Sequence, residues 1–164
     1  MSPVPPLYAA SVPVFRHYLA RMSAMVERAG PEAMAARIAD AFPAAQQFAT
    51  AASYAVRVAC PLAGREVPNL PTALAPRLAV VRALLGAMRP GEFEGAEARQ
   101  IAHRAGEADL VQDGATFLYL YGLPNFFFHL TMGYAALRQA GVALGKADFD
   151  AMHVYPADFS FESG

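Results

Sequence analysis

Cysteine is nearly absent from this chain: Cys60 stands alone, so neither an intrachain disulfide nor a cysteine-based zinc site is available to hold a fold together. A reducing compartment fits that composition, and the expected localisation is cytoplasmic. The opening Met1-Ser2-Pro3-Val4-Pro5-Pro6 agrees, since it carries no basic residue before Arg16 and lacks the charged start and apolar run of a secretory signal. Charge is scarce as well, at 16% of residues against 55% hydrophobic, and 13 basic against 14 acidic residues leave a net charge of −1. So even a balance offers no electrostatic footprint for a phosphate backbone or an anionic membrane surface, and no nucleic acid or membrane partner is expected. The chain also lacks Gly-x-Ser-x-Gly, a phosphate-binding glycine loop, a dinucleotide fingerprint and His-Glu-x-x-His, which removes sequence support for the common hydrolase, kinase, dehydrogenase and metalloprotease chemistries.

What the chain has in abundance is alanine, at 36 of 164 positions, in a length suited to one domain. With Leu, Val, Met and Arg this composition favours helix, and the expected class is all-α. Apolar residues at Val12, Phe15, Leu19, Met22, Met25 and Val26 predict an amphipathic helix over 12–29, with Ser11 as its N-cap and Gly30-Pro31 as its stop. A short helical piece follows Pro31, and a second long helix runs from Pro43 to about Ala63, ending at Gly64. Leu74, Leu78, Val81, Leu84 and Leu85 stripe a third helix over 72–88, with Thr72 as its cap. The polar stretch from Gly91 to Asp113 holds two runs, Gln100–Ala105 and Ala108–Gln112, that read either as a small hairpin around Gly106 or as an irregular loop. A fourth helix is expected from Asp113 or Gly114 to about Ala140, kinked or broken one turn before Pro124. Its first 24 residues, 114–137, contain no Asp, Glu, Lys or Arg and are long enough to cross a bilayer. Asn125, His129, Pro124 and three glycines argue instead for a buried core helix. The bundle is read as residues 1–149, followed by an aromatic tail over 150–164 with Tyr155, Phe159 and Phe161, which packs on the bundle or on a partner chain.

The chemistry concentrates in Pro124-Asn125-Phe126-Phe127-Phe128-His129. Asn125 and His129 are four apart and share one helix face with the small residues Gly122, Gly133 and Ala136. A buried amide and imidazole need partners, because an unmade hydrogen bond costs about 1 to 3 kcal/mol. Gln46 and Gln47 can supply them from a second-helix stretch, Ala41–Val56, that holds no ionised side chain, and Ser53 and Tyr54 can extend the same polar seam. Two readings stand: a satisfied interhelical network, or a pocket in which His129 serves a metal or a small ligand. His17, His103 and His153 read as structural or solvated, and Cys60, among Val58, Ala59 and Leu62, as a small buried hydrophobe.

Several segments together resemble a known family: Leu7-Tyr8-Ala9-Ala10-Ser11-Val12-Pro13-Val14-Phe15, Phe42-Pro43 with Gln47, Leu62-Ala63-Gly64-Arg65-Glu66-Val67-Pro68, Gly91-Glu92-Phe93-Glu94-Gly95, and the stretch from Leu123 through His129 to Gly145-Lys146. The resemblance is to an uncharacterised bacterial family of the DinB-like superfamily. It implies an up-down-down-up four-helix bundle, often dimeric, and a superfamily habit of binding a divalent metal through one histidine on the second helix and a His-x-x-x-His pair on the last. Some members transfer thiols. Here His129 matches the later histidine of the pair, Asn125 replaces the earlier one, and the second helix has none. The expectations are therefore no bound cofactor, with zinc or nickel through His129 as the weaker option; a homodimer; and a small ligand at a seam of His129, Asn125, Gln47 and Gln46. The alternatives are a metal-dependent thiol transferase or hydrolase, drawing carboxylates from the Glu92–Asp113 segment, and a non-catalytic stress-response scaffold. No catalytic residue is assigned.

Overall fold

The computed structural model of the chain describes residues 3–160. Four long helices share one apolar core: α1 (Pro6–Glu27), α3 (Ala44–Leu62), α4 (Leu74–Ala87) and α6 (Leu123–Gln139). Short helices α2 (Pro31–Ala35), α5 (Gly114–Thr116) and α7 (Lys146–Asp150) fill the connections. No described helix is long and apolar enough to cross a membrane. The expected all-α class needs one correction, because β1 (Gln100–Ala105) and β2 (Ala108–Asp113) pair antiparallel with Ala105 opposite Ala108. The hairpin alternative is the one that forms: Gly106 takes φ +59° at the tip, and Ile101 points its apolar side chain into the core.

Local chemistry moves two helix starts. α1 begins at Pro6, six residues ahead of the expected start at 12, since proline's missing N–H costs nothing in a first turn and Leu7 gains burial. Ser11 is thus inside the helix and caps nothing; its buried hydroxyl donates back to the carbonyl of Leu7. α4 starts at Leu74 behind Ala73, so Thr72 is not its cap either. Arg77 instead gathers the loop before the helix, donating to the carbonyls of Pro71 and Thr72, and also crosses to Ala49 and Ser53 of α3.

The expected break before Pro124 takes a definite form. Residues Phe117–Gly122 make a π-helical turn between α5 and α6, so one helical path from Gly114 to Gln139 changes pitch where proline supplies no N–H to the preceding turn. Asp113 caps the start of that path, its carboxylate accepting from the backbone N–H and the hydroxyl of Thr116.

α3 and α6 are pressed together by glycine. A Cβ on Gly133 would fall 2.6 Å from the ring of Phe48, and one on Gly122 would fall 2.8 Å from Val58. These contacts pair the start of α3 with the later part of the α6 path and the end of α3 with its beginning, so the two are antiparallel. α7 closes on α1, where the carbonyls of Asp148 and Asp150 accept from Arg21 and His17, and Phe149 packs between Tyr18 and Tyr134. The start of the aromatic tail therefore packs on the bundle, and Tyr155 stacks on Phe159; Phe161 lies outside the described residues.

At Gly114 a Cβ would lie 1.9 Å from the backbone oxygen of Ala96, a contact that no side-chain rotation relieves. Gly114→Ala should destabilise the fold by about 2 kcal/mol or more. Gly86, with nothing within 4 Å of its Cβ position, should accept alanine with a gain of roughly 0.5 to 1 kcal/mol. Urea melts of the two variants check the contrast.

Candidate functional site

Gln47 and His129 meet across the α3–α6 contact. The carbonyl oxygen of the Gln47 side chain lies 2.7 Å from Nδ1 of His129, while the Gln47 amide nitrogen is 3.5 Å from the carbonyl of Phe42. Because Phe42 offers only an acceptor, the amide presents NH₂ to Phe42 and oxygen to His129. The imidazole must then carry its proton on Nδ1. Burial lowers the His129 pKa from its ordinary value of 6.5, so the neutral ring is favoured. Its Nε2 therefore keeps a lone pair, and among the described residues nothing hydrogen-bonds to it.

Tyr54 holds the ring from one side, stacked at 5.6 Å with 19° between the planes. Beyond it, the guanidinium of Arg57 sits 4.8 Å from the Tyr54 centroid and donates to the Tyr121 hydroxyl at 3.2 Å. Burial, followed by a hydrogen bond with Tyr54, pushes the Tyr121 phenol up to about 12, so it stays protonated. The seam then continues into the hairpin. His103 lies 4.3 Å from Tyr121 and bonds through Nε2 to the Gln112 side chain at 2.8 Å. Its Nδ1 is buried without a partner among the described residues.

Not every expected residue joins. Asn125 turns its NH₂ to the Tyr121 carbonyl, 2.8 Å away on its own helix, and thus serves the π-helical turn that Pro124 leaves short of donors. Gln46 is exposed and makes no side-chain contact with His129, being one helix position, or about 100°, away from Gln47. Ser53 donates to Ala49 and receives Arg77, so it faces α4. Cys60 is buried, and burial pushes its thiol up, which keeps it from being a thiolate. His17 and His153 bind the backbone and the side chain of Asp150. The residues the sequence pattern left out are Arg57 and Tyr121. Both sit at helical spacing from residues already singled out, Arg57 three after Tyr54 and Tyr121 eight before His129.

The superfamily's metal does not fit these side chains. Of the three positions, Gln47 and Asn125 present neutral amides already committed to His129 and to Tyr121, leaving one imidazole. Among the described residues no group of three or more His, Cys, Asp or Glu could hold an ion. Four carboxylates of the 92–113 segment are engaged elsewhere: Glu92 by Arg65, Glu107 and Asp109 by Arg104, and Asp113 by Thr116.

A long helical path broken by a π turn, antiparallel to a helix whose single charge is Arg57 and linked to it by a polar seam, is the architecture of a DinB-like helical protein. It is similar in architecture to a crystal structure of a DinB family member from Shewanella denitrificans, 27% identical, with a TM-score of 0.79 over 92% of this chain and 95% of that chain. The chain belongs to the DUF1993 family, described as a domain of unknown function, whose model matches residues 7–150. No curated protein matches it.

Depression of the His129 pKa gives stability a defined pH dependence. As pH falls through 6.5, the unfolded chain takes up a proton that the folded chain refuses, so the contribution is whole above 6.5 and is lost toward the lower folded pKa. Between pH 7.5 and 5, wild type should lose more stability than His129→Phe in urea melts; parallel losses would mean His129 is not so placed.

Proposed function

We propose that the protein works without a bound metal, as an up-down-down-up four-helix bundle that pairs into a homodimer and takes a small ligand at the α3–α6 seam. The observation that carries this reading is the state of His129: neutral, fixed by Gln47 through Nδ1, braced by Tyr54, with the lone pair of Nε2 unused. Such a nitrogen accepts a hydrogen bond from a hydroxyl, thiol or amide N–H, and it is the group a general base would use if the ligand reacts. The amide donors at positions 47 and 125 support a metal-free state, since they are poor substitutes for imidazole or carboxylate. The antiparallel run of α3 and α6 supports the bundle order. Leu120 and Phe128, 74% and 57% exposed on the outer side of the last helical path, supply apolar surface for a second copy.

The test combines metal analysis of untagged protein with nitrogen NMR of its histidines. The expected result is no stoichiometric zinc, nickel or iron, an Nδ1–H tautomer for His129 at pH 7, and shifts at Nε2 on screening small hydroxyl and thiol compounds. Stoichiometric metal that disappears in His129→Ala would overturn the proposal.

A further inference from the structure

On the other side of the molecule, α1 and α4 leave a groove that the seam does not use. Two cavities, of about 680 Å³ and 480 Å³, adjoin along it and share Arg82. We propose that this groove binds one medium-chain fatty carboxylate, with the carboxylate held by Arg16 and Arg82 and the tail running toward Leu74.

The two ends differ in chemistry. At one end Arg16, His17 and Arg82 line the cavity with no carboxylate among its lining residues. Arg16 makes no hydrogen bond or ion pair with any described residue, and Arg82 has only the Ser23 hydroxyl at 3.5 Å, so both guanidinium groups retain free donors. His17 donates its Nε2–H to the Asp150 carbonyl and so leaves the arginines as the free donors of this end. At the other end the wall is Val26, Met34, Leu74 and Leu78. Glu27 is the one carboxylate there, and it repels an anionic head from that end, which fixes the ligand's direction.

The sequence of α4 builds this surface. Leu74–Ala87 contains no acidic residue and only Arg77 and Arg82 as charges, and Arg77 spends its donors on Pro71, Thr72, Ala49 and Ser53. A helix apolar on nearly all sides belongs in a core, yet Ala75, Ala79 and Ala83 are exposed. As small residues they form a floor, not a ridge. From Arg16 to Glu27 the groove runs eleven residues along α1, about 16 Å at 1.5 Å per residue, the length of a medium-chain acyl tail. Two free guanidinium groups at one end of such a floor match an anion joined to a hydrocarbon chain, and match neither half alone.

Isothermal titration with dodecanoate below its micelle concentration tests the proposal on the full chain, with acetate and dodecanol as head-only and tail-only probes. One dodecanoate per chain is expected, with each half-probe at least tenfold weaker. The exposed Arg16→Ala/Arg82→Ala pair should weaken dodecanoate about tenfold, and Ala79→Trp should fill the floor and abolish binding while the melting temperature of each variant stays near that of wild type. Equal binding of dodecanol, or dodecanoate binding unchanged in the arginine variant or in Ala79→Trp, would overturn it. His129→Phe should leave the titration unchanged; a lost signal in that variant would place the ligand at the seam and overturn the groove assignment.

Discussion

The hydrogen bond between Gln47 and His129 ties α3 to α6 from within two stretches, residues 41–56 and 114–137, that carry no ionised side chain. In such surroundings an amide and an imidazole cannot be left open without a penalty of about 1 to 3 kcal/mol, so each fixes the other. The tie also sets chemistry, since the amide oxygen dictates which imidazole nitrogen holds the proton. A structural device and a functional group are here the same pair of atoms.

Close approach makes that bond reachable. Gly122 and Gly133 let Val58 and Phe48 sit where side chains would otherwise stand, and the edge-on contact of Phe15 with Phe126 at 4.9 Å anchors α6 from the opposite side. The π-helical turn before Pro124 aims Tyr121 at Tyr54 and Arg57, which extends the seam to the hairpin and to His103. Low charge content in the chain is thus a property of this interface above all. The α1–α4 side, by contrast, keeps two arginines, Arg16 and Arg82, that form no ion pair among the described residues.

Much of this was legible in the residues and some was not. Apolar spacing located the long helices, and glycine between two short runs located the hairpin. Helix starts were misplaced at Ser11 and Thr72, because a capping residue type says nothing about whether a proline upstream can open the helix sooner. Among the polar residues inside charge-free stretches, Gln47, Tyr54 and His129 are the ones the structure brings together. Choosing between Gln46 and Gln47 requires the rotation of α3, and that rotation is set by Phe48 against Gly133, a contact between residues 85 positions apart. Asn125 looked like a partner of His129 because both occupy one face. Its nearer obligation is to the turn that Pro124 disrupts. Arg57 and Tyr121 stood at helical spacing from marked residues, but an arginine beside a tyrosine is common on surfaces, and only the π turn brings these two together.

A double-mutant cycle on Gln47→Leu and His129→Phe measures the central bond most directly. Each single variant strands its partner in an apolar seam, whereas the double variant removes both polar groups. The account predicts a coupling of about 1 to 3 kcal/mol, with the double variant much less destabilised than the sum of the singles. Additive losses would contradict it.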